Sequence, residues 1–154
     1  MKNQKLLLKK MSGVSLMLLL FLFFSNCASG DKIFSTDVWN ITYDDQQGGI
    51  ALTYKSKNIC NGMYASYQWE GKEIKTSDYA RHKISTGKVS DSFGKGHIYK
   101  VEYTDKELPK LTQYFYLYPG KEYILTDFTV EAKEEISSGR MAPVNVDSIS
   151  GFLQ

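Results

Sequence analysis

Histidine and cysteine are nearly missing from this sequence, and their scarcity narrows the chemistry before any pattern is sought. Two of each stand among 154 residues: His82, His97, Cys27 and Cys60. A zinc site draws three or four ligands at tight spacing from such residues, and these four are scattered. A serine triad needs a base held by an acid, yet neither histidine lies near a nucleophile-elbow sequence. The glycine pattern Asp91-Ser92-Phe93-Gly94-Lys95-Gly96 lacks the full Walker spacing, and no helical pattern follows to supply an N-terminal dipole. Apolar residues at i, i+3, i+4 and i+7 over a helical length are absent too, which argues against an α-helical core.

Convergent carboxylates are also wanting. Glycoside hydrolysis needs two of them flanking the bond, about 5–10 Å apart. Asp44-Asp45 and Glu134-Glu135 are adjacent pairs in polar, turn-like stretches. Asp127 stands inside the apolar run Ile124 to Val130, where a hydrogen-bonded structural role is commoner than a catalytic one. No catalytic residue, metal ligand or cofactor is assigned to the chain.

Acidic residues are missing from one region in particular. None precedes Asp31, whereas Lys2, Lys5, Lys9 and Lys10 are basic and Met11 to Phe24 is almost wholly apolar. A basic start followed by a short apolar run is the pattern of a secretory signal peptide. The rival, a membrane-spanning anchor, needs about 20 apolar residues, and Lys9-Lys10 and Asn26 to Asp31 cut the run short. Residues 1–26 therefore read as a signal peptide. Phe24-Ser25-Asn26-Cys27 resembles the lipobox of bacterial lipoproteins, with Cys27 as the lipid anchor and 27–37 as a tether. Asn26 departs from that pattern, since Gly, Ala or Ser normally precedes the cysteine, and ordinary cleavage near Ala28 stays open. The expected location is the periplasm or the outer membrane, with membrane contact only through the lipid.

Removing four lysines from 19 basic residues leaves 15 against 17 acidic ones, a net charge of −2. So balanced a surface gives no electrostatic case for nucleic acid. Cys60, left alone, reads as a buried and inert thiol.

What the sequence does hold is alternation. Trp39-Ile41-Tyr43, Ile50-Leu52-Tyr54 and Met63-Ala65-Tyr67-Trp69 alternate with more polar neighbours, and His97 to Tyr103, Leu111 to Tyr118 and Tyr123 to Ala132 follow. Period-2 runs rich in β-branched and aromatic residues, bounded by Gly, Pro, Asn or Asp, are strands. Glu70-Gly71-Lys72-Glu73 and Pro119-Gly120 read as hairpin links. The expected fold is all-β, an antiparallel β-sandwich of supersandwich type over residues 38–154.

The last two of those strands are apolar on both sides. Leu111, Phe115 and Leu117 oppose Tyr114, Tyr116 and Tyr118, while Ile124, Phe128 and Val130 oppose Tyr123 and Leu125. Strands of that kind expect cover on both faces. The sequence also stops just after the extended stretch Arg140 to Val146, and the domain is expected to be the front part of a longer protein. Aromatics make up 14% of the chain; beyond their role as core they single out Trp69 and the row Tyr114, Tyr116 and Tyr118 as sugar or domain-interface contacts.

Four segments together carry a family likeness: Asp91 to Gly96, the strand ending Val101-Glu102-Tyr103, Leu111-Thr112-Gln113-Tyr114-Phe115-Tyr116-Leu117-Tyr118, and Met141-Ala142-Pro143-Val144. Over Val38 to Asp147 the chain resembles the N-terminal β-sandwich region of exported α-galactosidase-like glycoside hydrolases related to the raffinose-synthase group. The resemblance implies a following (β/α)8 barrel that holds the catalytic aspartates, so none of them falls on this sequence. It implies an accessory domain, with carbohydrate or a downstream catalytic barrel as partner. The alternative is a free-standing surface lipoprotein that binds a glycan or a protein.

Overall fold

The structure, a computed structural model, describes residues 32–44 and 48–149. The segment read as a signal peptide, Cys27 and Asp45 lie outside the described residues. Among those described, no helix is long and apolar enough to cross a membrane.

Among the described residues ten strands form two antiparallel sheets, which is the all-β sandwich that the alternation predicts. The first sheet holds β1 (Lys32–Ser35), β2 (Trp39–Tyr43), β3 (Ile50–Tyr54), β4 (Lys57–Trp69), β5 (Lys72–Lys75) and β10 (Met141–Ile149). Its order is β1-β2-β3-β4-β10, with β5 also paired to β4. The second sheet runs β6 (Arg81–Asp91), β7 (Gly94–Thr104), β8 (Lys110–Leu117) and β9 (Ile124–Glu131). A 3-10 turn, Thr76–Asp78, carries the chain from one sheet to the other.

Turn chemistry sets the hairpins. Trp69 pairs with Lys72, and the two residues between them, Glu70 and Gly71, have φ of 50° and 75°, the mirror-image turn that suits strand twist. Pro119 and Gly120 sit in a turn closed by the Lys121 N–H on the Tyr118 carbonyl at 3.1 Å. Gly120 has φ of 69°, so Pro and Gly occupy the positions that a type II turn favours.

Two elements depart from the alternation. Lys32–Ser35, within the stretch read as a tether, pairs with β2 as β1, and Phe34 lays its ring 4.3 Å from that of Tyr99. Arg81–Asp91, outside the alternating runs, is β6. It is an edge strand with one partner and so needs few apolar residues, while charges along it discourage further pairing. His82 on this strand packs its ring 6.0 Å from Tyr43 and 5.7 Å from Tyr103.

The core lies between the sheets. Ile41, Tyr43, Ile50, Met63, Ala65 and Tyr67 meet Val101, Tyr103, Leu111, Phe115 and Leu117, all buried. Each large apolar side chain so buried contributes about 1.5–3 kcal/mol. Cys60 is buried as well, although its parity opposes that of Met63. The register moves from Ile50↔Met63 to Leu52↔Cys60, so Ala51 of β3 faces two residues of β4, Asn61 and Gly62. Gly62, with φ of 64°, lies in this bulge, which turns Cys60 inward. Burial pushes its thiol pKa up.

Buried tyrosine and glutamine side chains find hydrogen-bond partners in the core. The Tyr79 hydroxyl donates to the Pro109 carbonyl at 2.7 Å and lies 3.0 Å from the Tyr67 hydroxyl; its proton being committed, Tyr67 is the donor of that second bond. Gln113, fully buried, donates from Nε2 to the Pro143 carbonyl at 3.0 Å and so ties β8 to β10.

Candidate functional site

The register of the second sheet sorts its residues into an inner and an outer face. Leu111, Gln113, Phe115 and Leu117 of β8 point to the core, so Thr112, Tyr114 and Tyr116 point away. Across the strands Ile98 stands beside Tyr116 and Tyr116 beside Leu125, while Lys100 stands beside Tyr114 and Tyr114 beside Asp127. The outer face thus carries Ile98, Tyr114, Tyr116 and Leu125, all half-buried, with the rings of Tyr114 and Tyr116 6.4 Å apart and inclined by 22°. No strand of the described residues lies over this face.

Tyr118 continues the row in sequence but not in exposure. It is 2% exposed, because its ring lies on Gly96, where a Cβ would come within 2.8 Å of the ring and 2.5 Å of the Leu117 carbonyl oxygen. An aromatic ring covering a glycine of the neighbouring strand is a known way of filling such a gap. Its hydroxyl donates to Asp91 Oδ2 at 2.6 Å, and Asp91 Oδ1 accepts from the Phe93 N–H at 2.8 Å. The Tyr118 bond, helped by the backbone N–H groups of Phe93 and Gly94, holds the Asp91 carboxyl below the usual range. Burial, with the Asp91 carboxylate, pushes the Tyr118 phenol up to about 12.

Asp91 therefore braces the β6–β7 hairpin, and the hairpin presents Phe93. Phe93 is 51% exposed and Tyr123 38%; their rings lie 6.4 Å apart, each about as far from Tyr118. Asp91-Ser92-Phe93-Gly94, which sequence offered as a weak phosphate-loop pattern, is a hairpin turn that carries an aromatic tip. The missed residues here, Phe93, Asp91 and Gly96, had one legible signal, the Asp-x-x-Gly spacing of a tight turn.

At its other end the same face is charged. Glu102 accepts from Lys100 at 3.1 Å and pairs with Lys110 at 3.4 Å, and Lys110 reaches Glu131 at 3.5 Å. The Lys100 ammonium is the main cause that lowers the Glu102 pKa. Asp127 is exposed on this face, and its carboxylate accepts from the Phe128 N–H at 2.7 Å. Among the described residues no cluster of three or more His, Cys, Asp or Glu side chains is placed to hold a metal ion.

Trp69 lies elsewhere. It ends β4 in the first sheet, packs against the core while half-buried, and lines a groove at the end of the sandwich. The structure thus brings Tyr114 and Tyr116 together, makes Tyr118 their buried neighbour, and separates Trp69 from all three. Cys27 falls outside the described residues. Compared with known proteins, the chain matches no family model, no curated protein and no solved structure.

Proposed function

We propose that this chain is an exported accessory β-sandwich of a glycoside hydrolase, anchored through Cys27 and not itself catalytic, whose second sheet rests its outer aromatic face on a folded catalytic domain. The observation that carries this reading is the half-buried row of Ile98, Tyr114, Tyr116 and Leu125 on a face that no described strand covers, extended by exposed Phe93 and Tyr123. Contiguous apolar faces mark surfaces for partners, and tyrosine suits them because its ring is apolar and its hydroxyl polar. The likeness to the sandwich region of α-galactosidase-like enzymes supplies the kind of partner, a barrel that brings the acid pair this chain lacks.

The test replaces Tyr114 and Tyr116 with Thr and Phe93 and Tyr123 with Ser. Tyr118 is left alone, since it covers Gly96 and belongs to the local packing. The variant should keep its cooperative urea transition while losing hydrophobic-dye binding and self-association by light scattering. If it unfolds instead, the face is this domain's own core and the docking reading fails. The wild-type protein should also leave aryl α-galactosides unhydrolysed; turnover abolished by Asp127→Asn would place catalysis within the chain.

A further inference from the structure

Where the β4–β5 turn, the β7–β8 loop and the segment after β9 meet, the sandwich ends in a groove of about 480 Å3. That volume falls within the range of small-molecule sites, about 300–1,000 Å3. Trp69 supplies its large flat surface, with Leu108 and Ile136 as half-buried apolar neighbours. Because Trp69 packs against the core, its ring is held before any ligand arrives, which lowers the ordering cost of binding.

The rim carries both acceptors and donors. Glu70, Glu107, Glu134 and Glu135 line the groove with Lys106 and Lys133, all exposed. Other charges there are already engaged: the Asp105 carboxylate accepts from the Glu107 N–H at 2.9 Å, and Lys110 joins Glu102 and Glu131. A cation in the groove would meet two lysines and an anion four carboxylates. A hydroxyl both donates and accepts, so a ligand bearing many hydroxyls and one apolar face satisfies carboxylates, ammonium groups and indole together.

We propose that this groove binds a neutral saccharide, stacked on Trp69 and held by the rim carboxylates. It shares none of its aromatic residues with the outer face of the second sheet, so the two proposals stand or fall separately. The test is a fluorescence titration of the full chain with dimers to tetramers of glucose, galactose and mannose. The Trp39→Phe variant leaves Trp69 as the only reporter, as the chain has two tryptophans. One of these sugars should give a saturable change. Followed by calorimetry, Trp69→Ala should weaken its binding at least about tenfold, and Glu134→Gln with Glu135→Gln severalfold. The two glutamates are exposed, so the paired variant decides the matter should Trp69→Ala fail to fold. No saturable response to any sugar overturns the proposal, as does undiminished binding in the glutamate variant. Displacement of the sugar by tetralysine at lower concentration would overturn it in favour of a cationic ligand.

Discussion

On the outer face of the six-stranded sheet, Ser66 is fully buried, and what surrounds it is polar. Its hydroxyl donates to Glu73 at 3.1 Å and accepts from Asn145 at 3.0 Å, Arg140 stands 3.9 Å from Glu73, and the Lys75 ammonium lies over the Tyr64 ring. On the outer face of the four-stranded sheet, the middle is Tyr114, Tyr116, Ile98 and Leu125, with Lys100 and Asp127 flanking Tyr114 and the other charges at one end. Both faces alternate with the same core, so the difference is not one of strand pattern. The first face spends its polar groups on one another around Ser66. The second leaves ring surface near water, where a partner that covered it would gain about 25 cal/mol for each Å2 removed from solvent.

The contrast breaks most visibly at Gly96. In Gly96→Ala the new methyl would meet the Leu117 carbonyl oxygen, a backbone atom that cannot swing aside, and would push Tyr118 off its seat. A loss of about 2–3 kcal/mol is expected in urea unfolding, with Phe93 and Tyr123 losing their shared neighbour. Next comes Ser66→Ala, which strips the hub from the polar face and leaves the Asn145 amide short of an acceptor; about 1–2 kcal/mol should be lost. Replacing Tyr114 and Tyr116 with Thr should cost less, under about 1 kcal/mol in the same measurement. If the double variant costs more than Ser66→Ala, the aromatic face is as much a part of the fold as the polar one and the comparison fails.

A smaller effect separates the two partners of the Asp91–Tyr118 hydrogen bond by pH. The folded Asp91 carboxyl titrates below its unfolded value near 4, so its contribution is present above about pH 4 and is lost as pH falls through the folded value. Tyr118 works in the other direction: its folded value, about 12, exceeds the unfolded value of about 10. Its contribution is whole below about pH 10 and is lost as pH rises toward 12. Thermal melts of Asp91→Asn should therefore fall a few degrees below wild type at neutral pH and converge with it in acid, and Tyr118→Phe should flatten the alkaline limb. Least of all should come Lys55→Ala. The Lys55–Glu122 pair is short, 2.6 Å, but its side chains are 56% and 63% exposed, and pairs in solvent contribute little. An unchanged melting temperature is expected; a clear drop would mean that this link between the sheets is structural.

Much of this architecture was legible before folding. The opposition of Leu111, Phe115 and Leu117 to the tyrosines holds strand by strand, and both predicted turns close where Gly71 and Gly120 allow positive φ. β6 was not legible, because an edge strand with one neighbour and one covered face can be written as Arg-His-Lys-Ile-Ser-Thr-Gly-Lys with no apolar stripe. Of the candidate contacts, Tyr114 and Tyr116 lie together on one face as their spacing requires. Trp69 is parted from them because it belongs to the other sheet, a fact of pairing rather than of sequence distance.

By itself, then, the amino-acid order determined the strand class, the turns and which side chains share a face, since alternation and positive φ are local properties of a few consecutive residues. Only the tertiary structure decided what each face meets. Tyr118 is buried because Gly96 leaves a gap on the strand beside it, Cys60 turns inward because β3 and β4 pair through a bulge, and His82 is half-buried because Tyr43 and Tyr103 come to it from other strands. Burial is a property of the pair in contact, and the second member of each pair is supplied by a strand that no local period can name.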